Sequence, residues 1–283
     1  NRPDVVFVVN AANGPFGLIS KIIRLPSAIN VDGLEWLRPK WKGLGAKYFK
    51  WSARQATRFY DQIINDSEEM RSVYHELFGI DSEVIAYGGV IRNSTKPELI
   101  EKWDLKPEEY YLVVGRLIPD NNADLIIEGF IQSRSRRKLV VVGDVPYADA
   151  YATKLKSIED ERLIFTGYVT DQDELAELYH QAFGYFHGHE FGGTNPTMLK
   201  ALAYGSAILA LDTVFNQEML SQGAYGLFFS KNEESVRDLI DLVEEDAARM
   251  AQLKKNSHHG ITAKYQWSTV IEQYFRVFKR LTD

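Results

Sequence analysis

The stretch YYLVVGRLIPDNNADLIIEGFIQSRSRRKLVVVGD, residues 110–144, sets the pattern that most of this chain follows. It contains two short apolar runs, YYLVV and KLVVV, on either side of the helical pattern ADLIIEGFIQS. Continuous apolar runs of this length are typical of strands in a parallel sheet, which is buried on both faces. A strand, a helix and a second strand in this order predict a β-α-β unit.

The same alternation continues toward the C-terminus. It predicts strands in LIFTGYV, GYFHGH and AILAL, with helices in YADAYATKLKSI, DQDELAELYHQA and near residues 198–204. Within the second helix, either Thr170 with Asp173 or Asp171 with Glu174 fits a helix-capping pattern. EESVRDLIDLVEEDAARMAQLKKN predicts one or two amphipathic helices, and WSTVIEQYFRVFKRL predicts a helix with an aromatic-rich face.

A second alternating series lies toward the N-terminus. DVVFVV, SAINV, QIIN and EVIAY are predicted strands, with a helix from roughly Leu44 to Tyr60. Val5 to Val9 is expected to be a buried strand, so that the chain would begin inside a sheet and lack earlier strands. The polar, proline-bearing stretch near Ile91 to Pro97 is the predicted linker between the two series. The sequence therefore predicts an α/β protein with two mostly parallel sheets.

The composition limits the classes of protein to consider. The chain has 283 residues, enough for one large or two ordinary domains, and 45% of them are hydrophobic. A net charge of −6 argues against a nucleic-acid-binding protein, and the absence of cysteine excludes disulfides and thiolate metal sites. No apolar run approaches the roughly 20 residues that span a bilayer. We expect a cytoplasmic protein, with association with the inner face of the membrane left open.

Glycines follow several predicted strands, where parallel sheets bind ligands. Gly115 and Arg116 follow the first strand of the second series, and an arginine fork matches a phosphate. The alternative is a surface arginine paired with Asp120. Gly143 and Gly167, in GD and TGYV, have no side chain and would let a flat or anionic ligand lie against the backbone. The alternative is that they only form tight turns.

The segment HGHEFGGTNPTMLKALAYG, residues 187–205, predicts a loop followed by a helix whose N-terminus could bind an anion. Thr194 or Asn195 is a candidate N-cap, and Pro196 suits the first turn. Free N–H groups there would bind a diphosphate, whereas the alternative is an ordinary capped helix. We predict that His187 and His189 face opposite sides of a strand, and no metal site is expected.

Asp32, Asp66 and Tyr87 follow predicted strands of the first series. A carboxylate at such a position can orient or deprotonate an acceptor hydroxyl, and a tyrosine can bind a sugar or a phosphate. The alternatives are turn-forming aspartates and a tyrosine that packs in the core.

Together these segments resemble a known family. VGRLIPDNNADLIIEGF, TGYVTD and the loop after His187 are similar to the nucleotide-sugar domain of retaining glycosyltransferases of family 4, which have the GT-B architecture of two facing Rossmann-like domains. NVDGLEW with GGTNP resembles the bacterial rhamnosyltransferase-type subgroup, which builds surface polysaccharides on a lipid-linked acceptor. The resemblance runs from Pro3 to Leu281. It implies a truncated N-terminal domain at 1–92, a nucleotide-sugar domain at 93–264 and a C-terminal helix at 265–283 that crosses back.

The resemblance also implies roles for individual residues. Arg116 would contact the donor diphosphate, beside the strand-end glycines Gly115 and Gly143 described above, and Glu190 would lie near the transferred sugar. Asp32, Asp66 and Tyr87 would position the acceptor, which is lipid-linked or an oligosaccharide. No metal is expected, because a helix dipole and basic side chains stabilise the leaving diphosphate. The remaining donor-site residues are the cradle Gly192, Gly193, Thr194, Asn195 and Thr197, the base pocket Gly167, Tyr168 and Val169, and the nucleotide-gripping position Lys200.

Lys200 departs from the resemblance, because a glutamate usually grips the ribose hydroxyls there. A lysine common after GRL is also absent, with Asp120, Asn121 and Asn122 in its place. One interpretation is a thymidine donor, whose deoxyribose has no 2′-hydroxyl. Another is a non-catalytic GT-B subunit that supports an active partner. The fold leaves open an epimerase or a phosphorylase, whereas the absence of G-x-G-x-x-G argues against a dinucleotide-dependent oxidoreductase.

Overall fold

The computed structural model describes residues 3–39 and 41–283. Asn1, Arg2 and Lys40, which fall within the predicted domain 1–92, lie outside the described residues. The packing of the backbone divides the chain into two units. The first contains the residues up to Gly88 together with Phe191–Asn195 and Tyr265–Asp283; the second contains Gly89–Glu190 and Pro196–Lys264. The domain limits 1–92, 93–264 and 265–283 stay a prediction.

The first unit is built on a four-stranded parallel sheet in the order β1-β2-β3-β4. Its strands are β1 (Val6–Val9), β2 (Ser27–Asn30), β3 (Gln62–Asn65) and β4 (Glu83–Val84). Its helices are α1 (Gly17–Ile22), α2 (Leu44–Phe59), α3 (Glu68–Phe78) and, from the C-terminal segment, α11 (Trp267–Thr282); short 3₁₀ turns occupy Ala11–Phe16 and Glu35–Leu37. The aromatic-rich helix predicted at the C-terminus is therefore present.

The core of this unit forms where strand residues meet α11. Ala28, Ile64 and Ile85 pack against Val270 and Val277 of that helix. By contrast, β1 is an edge strand whose side chains alternate between half-buried and exposed. The expectation that Val5 to Val9 form a buried strand is therefore wrong, because Phe7 and Val9 are 40% and 54% exposed.

The second unit contains a six-stranded parallel sheet in the order β10-β9-β8-β5-β6-β7. Its strands are β5 (Tyr110–Val114), β6 (Lys138–Val142), β7 (Leu163–Gly167), β8 (Gly184–His187), β9 (Ile208–Leu211) and β10 (Gly226–Phe229). Its helices are α4 (Ala123–Gln132), α5 (Ala150–Lys156), α6 (Gln172–Gln181), α7 (Pro196–Ala203), α8 (Val214–Met219), α9 (Glu233–Glu245) and α10 (Ala247–Lys264). Further 3₁₀ turns occupy Pro97–Trp103, Pro119–Asn121 and Ser221–Gly223.

This strand order is that of the Rossmann fold, in which the chain reverses direction across the sheet after its third strand. The reversal lies between the central neighbours β5 and β8. Ligands of doubly wound sheets bind outside the carboxyl ends of the strands at this switch point. The fold therefore directs attention to the loops that follow Val114 and His187.

The predicted α/β class with two Rossmann-like parallel sheets is confirmed. Within α6, Asp171 is the N-cap and its side chain accepts hydrogen bonds from the N–H groups of Asp173 and Glu174, which decides between the two registers. Predicted strand EVIAY pairs only at Glu83–Val84, and the sequence analysis missed α1, α3, α8 and β10. None of the helices in the described part of the chain is long and apolar enough to cross a bilayer.

Candidate functional site

Three of the predicted glycines meet at the carboxyl edge of the second unit's sheet. The N–H of Gly115 donates to the carbonyl oxygen of Val142 at 3.0 Å, and the N–H of Gly143 donates to that of Gly167 at 2.8 Å. Gly143 has a φ of +122°, and a Cβ added there would lie 2.0 Å from the carbonyl oxygen of Gly115. Only glycine fits such a backbone approach, so the floor of this edge is made of main chain.

The loop after β5 is fastened to the loop after β8, across the switch point. Both loops use polar groups from the PDNN and GHE segments for this purpose. The bonds join Asn121 Oδ1 to His189 Nδ1 at 2.8 Å, Asn122 Nδ2 to the Gly188 carbonyl at 2.8 Å, and Glu190 N–H to the Asp120 carbonyl at 3.1 Å. Asn121 and Asn122 therefore connect the two loops. They occupy the position where the resemblance implies a lysine.

Arg116 lies beside this fastening and is exposed to solvent. Its carbonyl oxygen accepts a hydrogen bond from Asn121 Nδ2 at 2.8 Å, which fixes the backbone from which the side chain extends. Within residues 3–39 and 41–283, its guanidinium group makes no hydrogen bond or ion pair, so the alternative pairing with Asp120 is not observed. A cation with five free donors at a strand end is available to an anionic ligand.

Glu190 forms an ion pair that the sequence analysis did not predict. Its Oε2 lies 2.5 Å from Nζ of Lys231, which follows β10. Lys231 is exposed and its partner carboxylate is largely buried. The position of Lys231 directly after an apolar run, GLFFSK, is the signal that could have identified it.

Lys200 lies on α7, with its backbone in the middle of that helix. Its Nζ donates to Oε1 of Gln172 at 3.2 Å, which is the contact at the position where a glutamate was expected. Tyr168 and Val169 follow β7 rather than belonging to it, and the Tyr168 ring is exposed. Tyr168 and Val169 follow Gly167 at the end of β7, and no hydrogen bond or ring contact joins them to Arg116 among the described residues.

The two histidines of the HGH segment differ in environment. His187 is buried, its Nδ1 lies 2.9 Å from the Tyr185 hydroxyl, and burial holds its pKa well below the ordinary value. The rings of His187 and His189 lie 6.2 Å apart. The prediction that they face opposite sides of a strand is wrong, because β8 ends at His187 and the chain beyond it places the His189 ring close to that of His187. Among the described residues, no group of three or more His, Asp or Glu side chains could hold a metal ion.

In the first unit, Asp32 and Tyr87 are hydrogen-bonded to each other. The Tyr87 hydroxyl donates to Oδ2 of Asp32 at 2.6 Å. Burial, together with this carboxylate and that of Asp66, raises the pKa of Tyr87 far above its ordinary value. The tyrosine is therefore a permanent donor, and it orients a half-buried carboxylate whose other oxygen can accept a hydrogen bond.

Asp66 binds the glycine-containing loop Phe191–Asn195, which belongs to the same unit. The N–H of Thr194 donates to Oδ2 of Asp66 at 2.8 Å, and the Thr194 hydroxyl donates to the Asp66 carbonyl. A Cβ on Gly193 would lie 1.9 Å from Oδ1 of Asp66, so the loop lies directly on the carboxylate. Asp66 is only 1% exposed. Because it is buried under the loop, Asp66 is better placed to fix the loop than to contact a substrate.

Arg38, which follows the NVDGLEW motif, supplies a second support for this loop. Nη2 of Arg38 donates to the Phe191 carbonyl at 3.5 Å, and Arg38 Nη1 lies 3.4 Å from Oε1 of Glu35. Trp41 Nε1 donates to the other oxygen of Glu35 at 2.9 Å. The sequence analysis missed Glu35 and Arg38, although their i, i+3 spacing of opposite charges was a usable signal.

The structure thus sorts the site residues that the sequence predicted into two groups. Asp32, Asp66 and Tyr87 come together in the first unit, joined there by Gly192, Gly193, Thr194 and Asn195. The second unit carries Gly115, Arg116, Gly143, Gly167, Tyr168, Val169, Glu190, Thr197 and Lys200. The predicted diphosphate cradle is therefore divided, since α7 begins at Pro196 in the second unit.

Comparison with protein families decides the membership of the chain. A model described as glycosyl transferases group 1 matches residues 95–259, and a model described as a domain of unknown function (DUF1972) matches residues 2–90. The chain belongs to the glycosyl transferases group 1 family. An uncharacterized glycosyltransferase of Methanocaldococcus jannaschii, MJ1069, is 24% identical over 176 residues, which are 60% of this chain and 45% of that protein.

Solved structures share the fold. Alr3699/HepE of Anabaena, solved in complex with UDP, aligns with a TM-score of 0.85 and 16% identity over 98% of this chain and 79% of that one. Sucrose-phosphate synthase from Thermosynechococcus elongatus aligns with a TM-score of 0.81 and 15% identity over 98% and 73% of the two chains. The match to glycosyltransferases of the GT-B class agrees with the two parallel sheets described above.

Proposed function

We propose that this chain is a glycosyltransferase that uses a nucleotide diphosphate sugar as its donor. The observation that supports this best is the switch point of the six-stranded sheet, where Arg116 is exposed beside glycine backbone and its guanidinium group has no partner among the described residues. A guanidinium group binds phosphate oxygens in two parallel hydrogen bonds, and a main-chain floor lets a diphosphate approach closely. Family membership agrees with this chemistry.

The other residues of the second unit have complementary roles in this proposal. The N–H groups at the start of α7, near Thr197, stabilise negative charge on the leaving diphosphate. Glu190 accepts hydrogen bonds from hydroxyls of the transferred sugar, and its ion pair with Lys231 fixes the position of the carboxylate. Gly167, Tyr168 and Val169 line the pocket of the nucleotide base. The proposal needs no metal ion.

The first unit supplies the acceptor-side chemistry. Asp32 accepts a hydrogen bond from the acceptor hydroxyl and thereby orients it, while Tyr87 holds the carboxylate in place. Asp66 and Arg38 act as positioning residues that fix the loop Gly192–Asn195, whose glycines we keep as diphosphate contacts. The domain limits 1–92, 93–264 and 265–283 belong to the same proposal.

The finer specificity is also a proposal. NVDGLEW and GGTNP support transfer of rhamnose, with retention, to a lipid-linked or oligosaccharide acceptor of a bacterial surface glycan, at the cytoplasmic face of the membrane. Lys200 supports a thymidine donor, because a cation bonded to Gln172 offers no acceptor to a 2′-hydroxyl. Against this, Anabaena Alr3699/HepE was solved with UDP, so both nucleotides are tested.

The decisive measurement is calorimetric titration of uridine and thymidine diphosphates into the chain and its Arg116→Gln variant. We expect Arg116→Gln to weaken binding by about 10- to 100-fold, because a hydrogen bond to a charged group contributes about 1.5–3 kcal/mol. Arg116→Lys should fall between the two. Arg136→Gln is the matched control, since Arg136 is also an exposed arginine of this unit.

Three outcomes contradict parts of the proposal. Equal affinities for the wild type and Arg116→Gln remove Arg116 from the donor site. Tighter binding of the uridine diphosphate removes the interpretation of Lys200. If neither diphosphate nor any nucleotide sugar binds, the chain is the non-catalytic subunit considered above.

A further inference from the structure

One face of α2 carries a row of basic side chains. Lys47, Lys50, Arg54 and Arg58 are spaced three, four and four residues apart, which brings them to one side of a helix, and all four are exposed. The helix contains no Asp or Glu. Among the described residues, none of the four side chains forms an ion pair, so their charges are not neutralised within the chain.

These cations surround a groove with an apolar wall. The groove has a volume of about 660 Å³ and lies between α2 and the C-terminal end of α3. Its apolar lining comes from one residue of α2 and three residues at or after the end of α3. They are Trp51, Leu77, Phe78 and Ile80, alongside the basic row and Thr57.

Large apolar side chains on the same and the neighbouring helix face water. Leu44 is 84% and Trp51 51% exposed on α2, and Ile22 is 71% exposed on α1. Lys21 Nζ of α1 donates to the Arg58 carbonyl at 3.0 Å, which ties the two helices together. Exposed aliphatic and tryptophan side chains next to unpaired cations are the composition of a helix that lies in a membrane interface.

We propose that this basic groove of α2 binds the surface of a bilayer that contains anionic phospholipids. The charge is complementary to an anionic surface, because α2 carries these four exposed cations and no Asp or Glu. A nucleic acid would use the cations but not the aliphatic side chains, whereas a bilayer uses both. Phosphate headgroups contact Lys47, Lys50, Arg54 and Arg58, and Trp51 and Leu44 enter the interface.

This inference does not depend on sugar transfer. The groove is built entirely from the first unit, and it contains none of the residues assigned to donor or acceptor. A chain that binds no nucleotide would still bind the bilayer. The test therefore measures vesicle binding without any nucleotide, so that its failure is distinct from failure of the proposed function.

The experiment is vesicle co-sedimentation with phosphatidylcholine alone and with phosphatidylcholine plus phosphatidylglycerol. We expect binding only to the anionic vesicles, and weaker binding as ionic strength rises. Lys50→Gln with Arg54→Gln should reduce the partition coefficient by about 30-fold, since each basic residue at such a surface contributes about fivefold. The double variant Lys154→Gln with Lys255→Gln removes the same charge from exposed sites of the second unit and should bind like the wild type.

A second variant separates a bilayer from a soluble polyanion. Trp51→Ser keeps every charge, and we expect it to lower vesicle binding several-fold while leaving the weak binding of inorganic polyphosphate unchanged. The proposal is overturned by equal binding to both vesicle types, by an equal loss in the control double variant, or by polyphosphate binding as tight as vesicle binding. Circular dichroism and thermal unfolding confirm that each variant is folded, and the salt dependence of the wild type needs no variant.

Discussion

At the carboxyl edge of the six-stranded sheet, backbone and side-chain amides make the polar contacts. Gly115, Gly143 and Gly167 approach one another through their main chains, and Asn121 and Asn122 fasten the neighbouring loops. At the carboxyl edge of the four-stranded sheet, the polar groups are carboxylates. Asp32 and Asp66 face hydroxyls and N–H groups there.

The difference follows from what each edge has to accommodate. An exposed arginine beside glycine backbone suits a negatively charged ligand, and the carboxylates near this edge, Asp144 and Glu190, are each paired with a lysine. A surface of carboxylates suits hydroxyl groups, which need acceptors. The two edges are therefore suited to opposite partners in one transfer reaction, and each can be disturbed separately.

The largest effect is expected from Gly143→Ala. The substitution forces a φ of +122° on a residue with a Cβ and drives that atom against the carbonyl oxygen of Gly115. We expect the free energy of unfolding to fall by about 3 kcal/mol or more, because both the backbone strain and the clash must be relieved. Urea unfolding followed by circular dichroism measures this.

Gly167→Ala is the control at the same edge. Gly167 also has a positive φ, +68°, but a Cβ there meets nothing within 4 Å. Only the strain of the left-handed conformation remains, which costs about 1 kcal/mol. If the two variants are equally stable, the close approach of Gly115 and Gly143 is not what builds this edge.

A smaller effect is expected from Asp66→Asn, which tests the carboxylate edge. The buried carboxylate accepts the N–H of Thr194, and a neutral amide would hold the loop less well and bury an N–H₂ against it. We expect a loss of about 2 kcal/mol in the free energy of unfolding. The half-buried Asp32 should respond differently, since Asp32→Asn keeps an oxygen for the Tyr87 hydroxyl.

The comparison of these two variants separates structure from chemistry. Asp32→Asn is expected to leave unfolding nearly unchanged and to lower the rate of sugar transfer by on the order of 100-fold, because a neutral amide accepts the hydrogen bond of the acceptor hydroxyl more weakly and orients it less well. Transfer is measured with a radiolabelled donor. An Asp32→Asn variant that is as destabilised as Asp66→Asn, with normal transfer, would reverse the assignment of the two residues.

Much of this arrangement could be predicted from the sequence. Apolar runs and helical periodicity identified β5 to β9 and their helices, because buried parallel strands have a strong local pattern. The edge strand β1 was mistaken for a buried one, since a run of valines does not reveal how many neighbours a strand has. The glycines after β5, β6 and β7 were found because strand-end glycines are a local signal.

Contacts between distant segments were not predictable in the same way. Asp66 and Thr194 are 128 residues apart, and Glu190 and Lys231 are 41 apart, so nothing in their neighbourhoods reveals that they are partners. Tertiary packing alone brings them together. For the same reason, Asp66 was assigned to the acceptor group and Gly193 to the donor group, although they touch.

The smallest expected effect is on the pH dependence of folding stability, and it comes from histidines in the interior of the second unit. Burial lowers the pKa values of His180, His187 and His258, all in the second unit, below the ordinary value near 6.5. Each therefore takes up its proton at a lower pH in the folded chain than in the unfolded chain, where protonation occurs as the pH falls through about 6.5. The unfolded state then binds more protons, so folding stability decreases as the pH falls below that value.

A buried histidine of this kind lowers the free energy of unfolding by at most about 1.4 kcal/mol for each pH unit below its unfolded pKa. His187→Asn, which keeps a polar group near the Tyr185 hydroxyl, should flatten the dependence by up to that amount between about pH 6.5 and about pH 5. Urea unfolding at several pH values measures the slope, and His75→Asn in α3 of the first unit is the control. An unchanged slope in His187→Asn would mean that the ring is protonated in the folded chain, which its burial beside His189 opposes.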